Sequence, residues 1–178
     1  MLFRSVERLK LQYGTSFVYP ASAMGAHVSA VPNHQTGRSV SLKMRGDVAL
    51  GGNFGFELDP CKLTQEEAEE SKRMIARVKS LRDLPRRGTF WRLLSPFEGQ
   101  KTAWAFVSED RTNVILCVYC ALSVPNSAPL RVRLRGLDPA VWYKAEDGRR
   151  FFGATLMHQG LTVPLKGDFS SQIILLNA

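Results

Sequence analysis

Ser22-Ala-Met-Gly-Ala-His-Val-Ser-Ala-Val-Pro-Asn-His-Gln-Thr-Gly-Arg38 is the most informative segment of this chain. Met24 to Ser29 reads as a buried strand. Pro32-Asn-His-Gln-Thr-Gly37 reads as a turn-forming loop, because proline and glycine break regular structure. Upstream, Ser5 to Tyr13 carries Val6, Leu9 and Tyr13 at helical spacing, with Gly14 where a C-terminal stop belongs. Downstream, Ser39 to Leu50 places Val40, Met44 and Val48 four residues apart, and Gly51 and Gly52 end that helix. Helix, strand, loop and helix in quick succession are the rhythm of an α/β barrel or an open α/β sheet. One clear strand cannot make a parallel sheet, so this is a fragment of either.

Residues 64–84 predict a long helix. Thr64 and Glu67 form a capping box, in which hydroxyl and carboxylate each satisfy an unpaired backbone N–H. Glutamates crowd the start and Lys72, Arg73, Arg77, Lys79 and Arg82 the end, an order that offsets the helix dipole. Ala68, Ser71, Ile75, Val78 and Leu81 share the face expected to dock on a neighbour. Pro85 and Arg86-Arg87-Gly88 are expected to break the helix and mark a linker.

From residue 89 the apolar period changes from near 3.6 to 2. Strands are expected at Phe90–Leu94, Thr102–Val107, Asn113–Ser123, Leu130–Arg135, Val141–Ala145, Leu161–Leu165 and Gln172–Leu176, with turn signals between them. Short strands at such spacing predict an antiparallel β-sandwich. The fold class is therefore α+β, with a helical and strand-bearing part over 1–85 and a sandwich over 89–178.

Hydrophobic residues make up 44% and charged residues 22% of the 178, which excludes disorder. The net charge of +8 is spread, with 14 basic against 9 acidic residues in 1–88 and 10 against 7 in 89–178. Arg131, Arg133 and Arg135 alternate with Val132 and Leu134, which reads as a solvated strand face and not a nucleic-acid stripe. Cys61, Cys117 and Cys120 make an odd count, as reduced thiols in a cytoplasm would. Cys117 and Cys120 have redox-pair spacing, but on a strand they point to opposite faces. No metal-ligand set and no cofactor motif is found. No signal peptide is recognised, and the longest apolar run, Val114 to Leu122, is half a membrane span. A cytoplasmic protein without membrane or nucleic-acid partners is expected.

Several segments, taken in order, resemble family 36 glycoside hydrolases, the large microbial α-galactosidases. They are Glu7-Arg-Leu-Lys-Leu-Gln-Tyr-Gly-Thr-Ser16, Gly25 to Arg38, Gly52-Asn-Phe-Gly-Phe-Glu-Leu-Asp59, Leu93-Leu-Ser-Pro-Phe-Glu-Gly99, Trp104-Ala-Phe-Val-Ser-Glu-Asp110 and Leu134-Arg-Gly-Leu-Asp138. The resemblance implies a retaining α-galactosidase of which this chain holds the C-terminal piece of a (β/α)8 barrel, residues 1–85, and the complete C-terminal sandwich. It also implies an α-galactoside substrate in the intact enzyme, no cofactor, and either a homo-oligomer or a complementing N-terminal polypeptide.

Retaining hydrolysis needs two carboxyl groups about 5 Å apart, one as nucleophile and one as acid/base. In the family both are aspartates upstream of the first helix here, the acid/base one in a Trp-Ser-Asp-Asp-like run. This chain reads Met1-Leu-Phe-Arg4 at that place. No catalytic residue carries over, so the chain alone is expected to be inactive, as a truncated or split enzyme or the product of a late start. Its barrel part is also expected to expose apolar faces and dissolve poorly. Among the remaining acids, Glu7 reads as solvated, Asp47 sits late in a helix, and Glu57 and Asp59 would share one strand face. His34 and Arg38 fall in the loop after the strand, where they wall the pocket, meet a subunit or brace the loop. His27, within the strand, reads as a core histidine. The alternative function is a non-catalytic sandwich that binds carbohydrate or packs a subunit through Trp91, Trp104, Trp142 and Tyr143, which otherwise serve as aromatic core.

Overall fold

The computed structural model describes residues 5–33 and 37–178. It divides into two compact units, Met1–Arg86 and Arg87–Ala178.

The first unit opens with helix α1 (Ser5–Thr15), which runs through Gly14 and does not stop there. A 3-10 turn at Ala21–Ala23 leads into strand β1 (Gly25–Ser29). Helix α2 (Leu42–Ala49) starts later than Ser39, because the Ser41 side chain accepts from Met44 N and caps it. The single expected strand has a partner. Strand β2 (Asn53–Glu57) pairs with β1 in parallel, Ala26 opposite Phe54 and Val28 opposite Phe56. The two strands and α2 make a β–α–β unit.

Helix α3 (Gln65–Leu81) carries both halves of its capping box, with Glu67 N donating to Thr64 Oγ1 at 3.2 Å and Thr64 N to Glu67 Oε2 at 3.0 Å. Ser71 on the expected face is buried and Val78 half-buried, but Ile75 stays 36% exposed. The expected linker is helical as well. Helix α4 (Asp83–Arg87) accepts Pro85 because it falls in the first turn, where backbone N–H groups have no intrahelical partner.

Ala26, Val28, Leu42 and Ala49 form one core cluster of this unit, with Phe54, Phe56, Leu58 and Met74 packed against it, and Leu9, Met44 and Val48 are buried too. Phe17, Val18 and Tyr19 are 66%, 77% and 59% exposed, so the unit shows apolar surface as the sequence leads one to expect. No helix among the described residues is long and apolar enough to cross a membrane.

The second unit is built on a six-stranded antiparallel sheet. Its strands are β3 (Thr89–Leu94), β4 (Lys101–Val107), β5 (Asn113–Cys120), β7 (Trp142–Ala145), β8 (Arg150–Phe152) and β10 (Ser170–Asn177), in the order β3-β4-β5-β10-β7-β8. Strands β6 (Leu130–Val132) and β9 (Leu161–Val163) pair separately and are shorter than their apolar patterns. Strand β8 and helix α5 (Gly153–His158) are not among the elements that the sequence pattern predicts.

One face of the large sheet shares a core with the small one. Ala103, Ala105, Leu116, Val118 and Leu176 meet Val132, Leu134, Leu156, Leu161 and Val163 there. On the other face Trp104, Phe106, Ile115, Cys117 and Tyr119 are also buried. Burial on both faces is why β5 reads as a continuous apolar run and not an alternating one.

A tyrosine ties the loops at one end. Tyr143 is fully buried, its hydroxyl donates to Arg111 O at 2.8 Å, and it accepts from Asp138 N at 3.0 Å. Gly153 N donates to Val141 O at 2.8 Å and Ala154 N to Pro139 O at 3.0 Å, which pins the start of α5 onto the 138–141 loop. Gly136, at φ +76, lies against the Trp91 indole with no room for a Cβ.

Cys117 and Cys120 are buried thiols, and Cys61 is an exposed one. Burial pushes the Cys120 thiol above its ordinary range, Asp168 adds to the shift, and Lys101 opposes it. A raised pKa lowers the reactive thiolate fraction. Ellman's reagent is therefore expected to titrate Cys61 alone within minutes in the native protein, and all three thiols in urea. Two or more fast native thiols would contradict this packing.

Candidate functional site

In parallel α/β units, ligands gather at the C-terminal ends of the strands. Alternation along β1 and β2 divides their side chains. Ala26, Val28, Phe54 and Phe56 pack with α2. Gly25, His27, Ser29, Asn53, Gly55 and Glu57 occupy the opposite face. That face is polar or glycine throughout.

His27 is exposed there, so it is not a core histidine, since its strand buries only one face. Its ring lies over Gly55, where an added Cβ would come 2.8 Å from His27 Cδ2. Glycine at 55 makes the space that the imidazole uses. At the C-terminal end, Ser29 Oγ is 3.5 Å from Glu57 Oε2.

Two buried arginines support this end. Arg45, from α2, donates Nη1 to Ser29 O at 2.6 Å and Nε to Val40 O at 3.1 Å, so it clamps both ends of the loop between β1 and α2. Arg8, from α1, is 8% exposed. Burial pulls each guanidinium below its usual range, with Glu57 opposing at Arg8 and Glu67 and Glu70 opposing at Arg45. Both remain cations at any physiological pH.

The sequence-predicted candidates fall around this end unevenly. His34 lies outside the described residues. Arg38 does not stand alone: its Nη1 is 3.8 Å from Glu7 Oε1, and its carbonyl accepts from Asn33 N at 2.9 Å, closing the loop on itself. Glu7 is thus half-buried and paired, not simply solvated. Glu57 and Asp59 do not share a strand face. The strand ends at Glu57, and the Asp59 side chain accepts from Cys61 N at 3.0 Å to cap a 3-10 turn at Pro60–Lys62. Asp47 bonds Lys43 at 2.6 Å along α2. Ser29, Arg45 and Arg8 are not legible as site residues in the sequence. None of the three sits in a chemical motif, and only the register across the strands shows their convergence.

This arrangement offers hydroxyl, carboxylate, imidazole and amide groups to a hydroxyl-rich ligand. Glu57 supplies one carboxylate, while cleavage of a glycosidic bond calls for a facing couple. Among the described residues no group of three or more His, Cys, Asp or Glu side chains is placed to hold a metal ion.

The aromatic candidates of the second unit divide as well. Trp104 and Tyr143 are core, and Trp91 is half-buried against the same core. Trp142 is 53% exposed, but its ring packs on Phe152 at 5.4 Å and carries the Arg150 guanidinium at 5.7 Å.

Comparison with known proteins adds to this geometry. The family profile described as Melibiase matches residues 3–88, and that of the glycosyl hydrolase family 36 C-terminal domain matches residues 101–176. The curated α-galactosidase AgaA of Geobacillus stearothermophilus is 50% identical over 175 residues, which is 98% of this chain and 24% of that protein. The crystal structure of the family 36 α-galactosidase AgaB from the same organism superposes with a TM-score of 0.95 at 51% identity, over 98% of this chain and 24% of that one. A variant of AgaA in complex with raffinose gives a TM-score of 0.95 at 48% identity, with the same coverage. The chain thus spans about a quarter of the length of these relatives.

Proposed function

We propose, from the premise that this chain belongs to glycoside hydrolase family 36 and carries the end of its melibiase region and its C-terminal domain, that it is the C-terminal part of an α-galactosidase. In the whole enzyme the reaction is hydrolysis of terminal α-D-galactosyl residues, with raffinose-type oligosaccharides as substrates. Residues 1–85 are the closing piece of the barrel and residues 89–178 the C-terminal domain. The polar face of β1 and β2 lines the barrel interior, and Ser29 and Glu57 lie at its catalytic end. His34 and Arg38 wall the pocket or meet a neighbouring subunit. The two reacting carboxyl groups come from outside these 178 residues, so the chain by itself is inert. The cytoplasm suits its three cysteine thiols, which stay reduced there.

The observation that carries this reading is the ordered match of both profiles along a chain half identical to an α-galactosidase. The purified chain is expected to release no nitrophenol from an aryl α-galactoside and no galactose from raffinose above the buffer rate. Turnover approaching that of an intact α-galactosidase would overturn the assignment of the chemistry to other residues.

A further inference from the structure

We propose that the outer edge of strand β6, with its continuation to Arg135, is a docking surface for an extended acidic segment of a partner protein. The segment adds as a further β-strand, its carboxylates facing Arg131, Arg133 and Arg135. The surface belongs to the second unit and does not depend on the α-galactosidase reading. The three arginines are exposed, while Val132 and Leu134 between them are buried. The chain is thus extended through residues 131–135, and the three side chains stand on one face. Alternate residues of a strand are about 6.5 Å apart, so the row of cations spans about 13 Å. Among the described residues none of the three guanidiniums makes an ion pair, a hydrogen bond or a ring contact.

Backbone direction matters as much as charge. Leu134 N donates to Leu156 O at 3.1 Å. A Cβ added at Gly160 would stand 2.7 Å from Val132 O. Both observations turn the backbone groups of Val132 and Leu134 toward the segment that holds Leu156, Gly160 and strand β9. Backbone groups of an antiparallel strand point alternately to its two sides. Those of Arg131 and Arg133 therefore point to the other side. Among the described residues the small sheet has two strands only, so that side has no pairing strand. The same residues thus present donors and acceptors along the edge and cations on the exposed face. The stem of Arg131 lies over Gly160, where an added Cβ would come 3.1 Å from its Cγ, so glycine at 160 makes room for it.

Charge selects the occupant. A second copy of β6 against this edge would set arginines opposite arginines, and like charges directly opposite are destabilising. No stretch of the sequence carries acidic residues at three alternate positions, so another copy of these 178 residues offers no matching strand. A segment with Glu or Asp at every second residue has the pitch of the arginine row. It sets one carboxylate against each guanidinium and pairs with the edge through its backbone. A nucleic acid would meet the charges but leave the edge amides unused.

The test is fluorescence anisotropy at low salt, with the full chain and a labelled peptide of alternating glutamate and threonine. The peptide is expected to bind at least ~10-fold more tightly than one of the same composition with its glutamates in a single block. Arg131→Gln, Arg133→Gln and Arg135→Gln combined should weaken binding ~10-fold or more. All three side chains are exposed, so this variant should keep its circular dichroism. Arg73→Gln, Arg82→Gln and Arg86→Gln combined remove the same charge from exposed positions of the first unit and should change affinity less than ~2-fold. Two further peptides, N-methylated at the glutamates or at the threonines, each lose the amides of one edge, so one should bind and the other should not. Equal binding of the alternating and block peptides, or of the two methylated ones, overturns the proposal. So does an equal loss in both triple variants, or a chain that binds heparin or a single-stranded oligonucleotide but not the peptide.

Discussion

Gly153→Ala should destabilise the second unit by about 3 kcal/mol or more. The expectation runs against helix propensity, which favours alanine over glycine by about 1 kcal/mol inside a helix. The obstacle is geometric. A Cβ at position 153 would stand 1.9 Å from Asp138 O, 3.0 Å from the Asp138 carbonyl carbon and 3.2 Å from Tyr143 Cε2. The first two are backbone atoms in the loop that Gly153 N and Ala154 N hold by hydrogen bonds to Val141 O and Pro139 O. Moving the loop breaks those bonds, so the clash cannot relax cheaply. Gly46→Ala is the contrasting case, in the first unit, where far-ultraviolet circular dichroism in urea should show a smaller loss. Its Cβ would come 2.2 Å from Met74 Sδ and Cε, the far end of a flexible thioether that can swing away. Urea unfolding followed by tryptophan fluorescence reads the second unit, because Trp91, Trp104 and Trp142 all lie in it. A midpoint for Gly153→Ala equal to or above the parent's would remove the argument.

Replacing Tyr143 should have an effect of the same order. Tyr143→Ala empties a fully buried aromatic site and is expected to cost about 3–5 kcal/mol. Tyr143→Phe isolates the hydroxyl. It leaves the Arg111 carbonyl and the Asp138 N–H without that partner, for about 1–3 kcal/mol. Arg111 itself sits at φ 60, a backbone position that needs holding. Tyr143 also touches the space denied to residue 153, so the pair Tyr143→Phe and Gly153→Ala should be non-additive in the same denaturation experiment. Simple additivity, or a phenylalanine variant as stable as the parent, would show that this end of the sheet does not depend on the hydroxyl.

Much of this architecture is legible in the order and type of the residues alone. The strands of the second unit other than β8 follow from apolar segments broken by turn residues, and α3 follows from Thr64 and Glu67. What escapes is short or long-range. Strand β2 is interrupted by Gly55, and a glycine weakens a strand pattern even where, as here, it makes room for His27. Helix α5 has six residues, fewer than two turns, so no helical period can register. The candidate site escapes for a different reason. Ser29 and Glu57 are 28 residues apart, and only the parallel register sets them opposite each other. Asp59 looks equivalent to Glu57 in the sequence, yet the strand stops between them and its carboxylate turns to Cys61 N.

Strand β10 lies between β5 and β7 in the large sheet, although it follows both in the chain by at least 25 residues. It pairs with β5 over its whole length, Ser170 opposite Cys120 through Asn177 opposite Asn113, and with β7 at Leu176 and Asn177. A ribosome that has released only residues up to 169 has delivered two halves, β3-β4-β5 and β7-β8, that share no strand pairing in this sheet. The sheet is then completed by threading one segment into a waiting gap, a high-contact-order step that makes this unit a slow folder in need of protection while it is being translated.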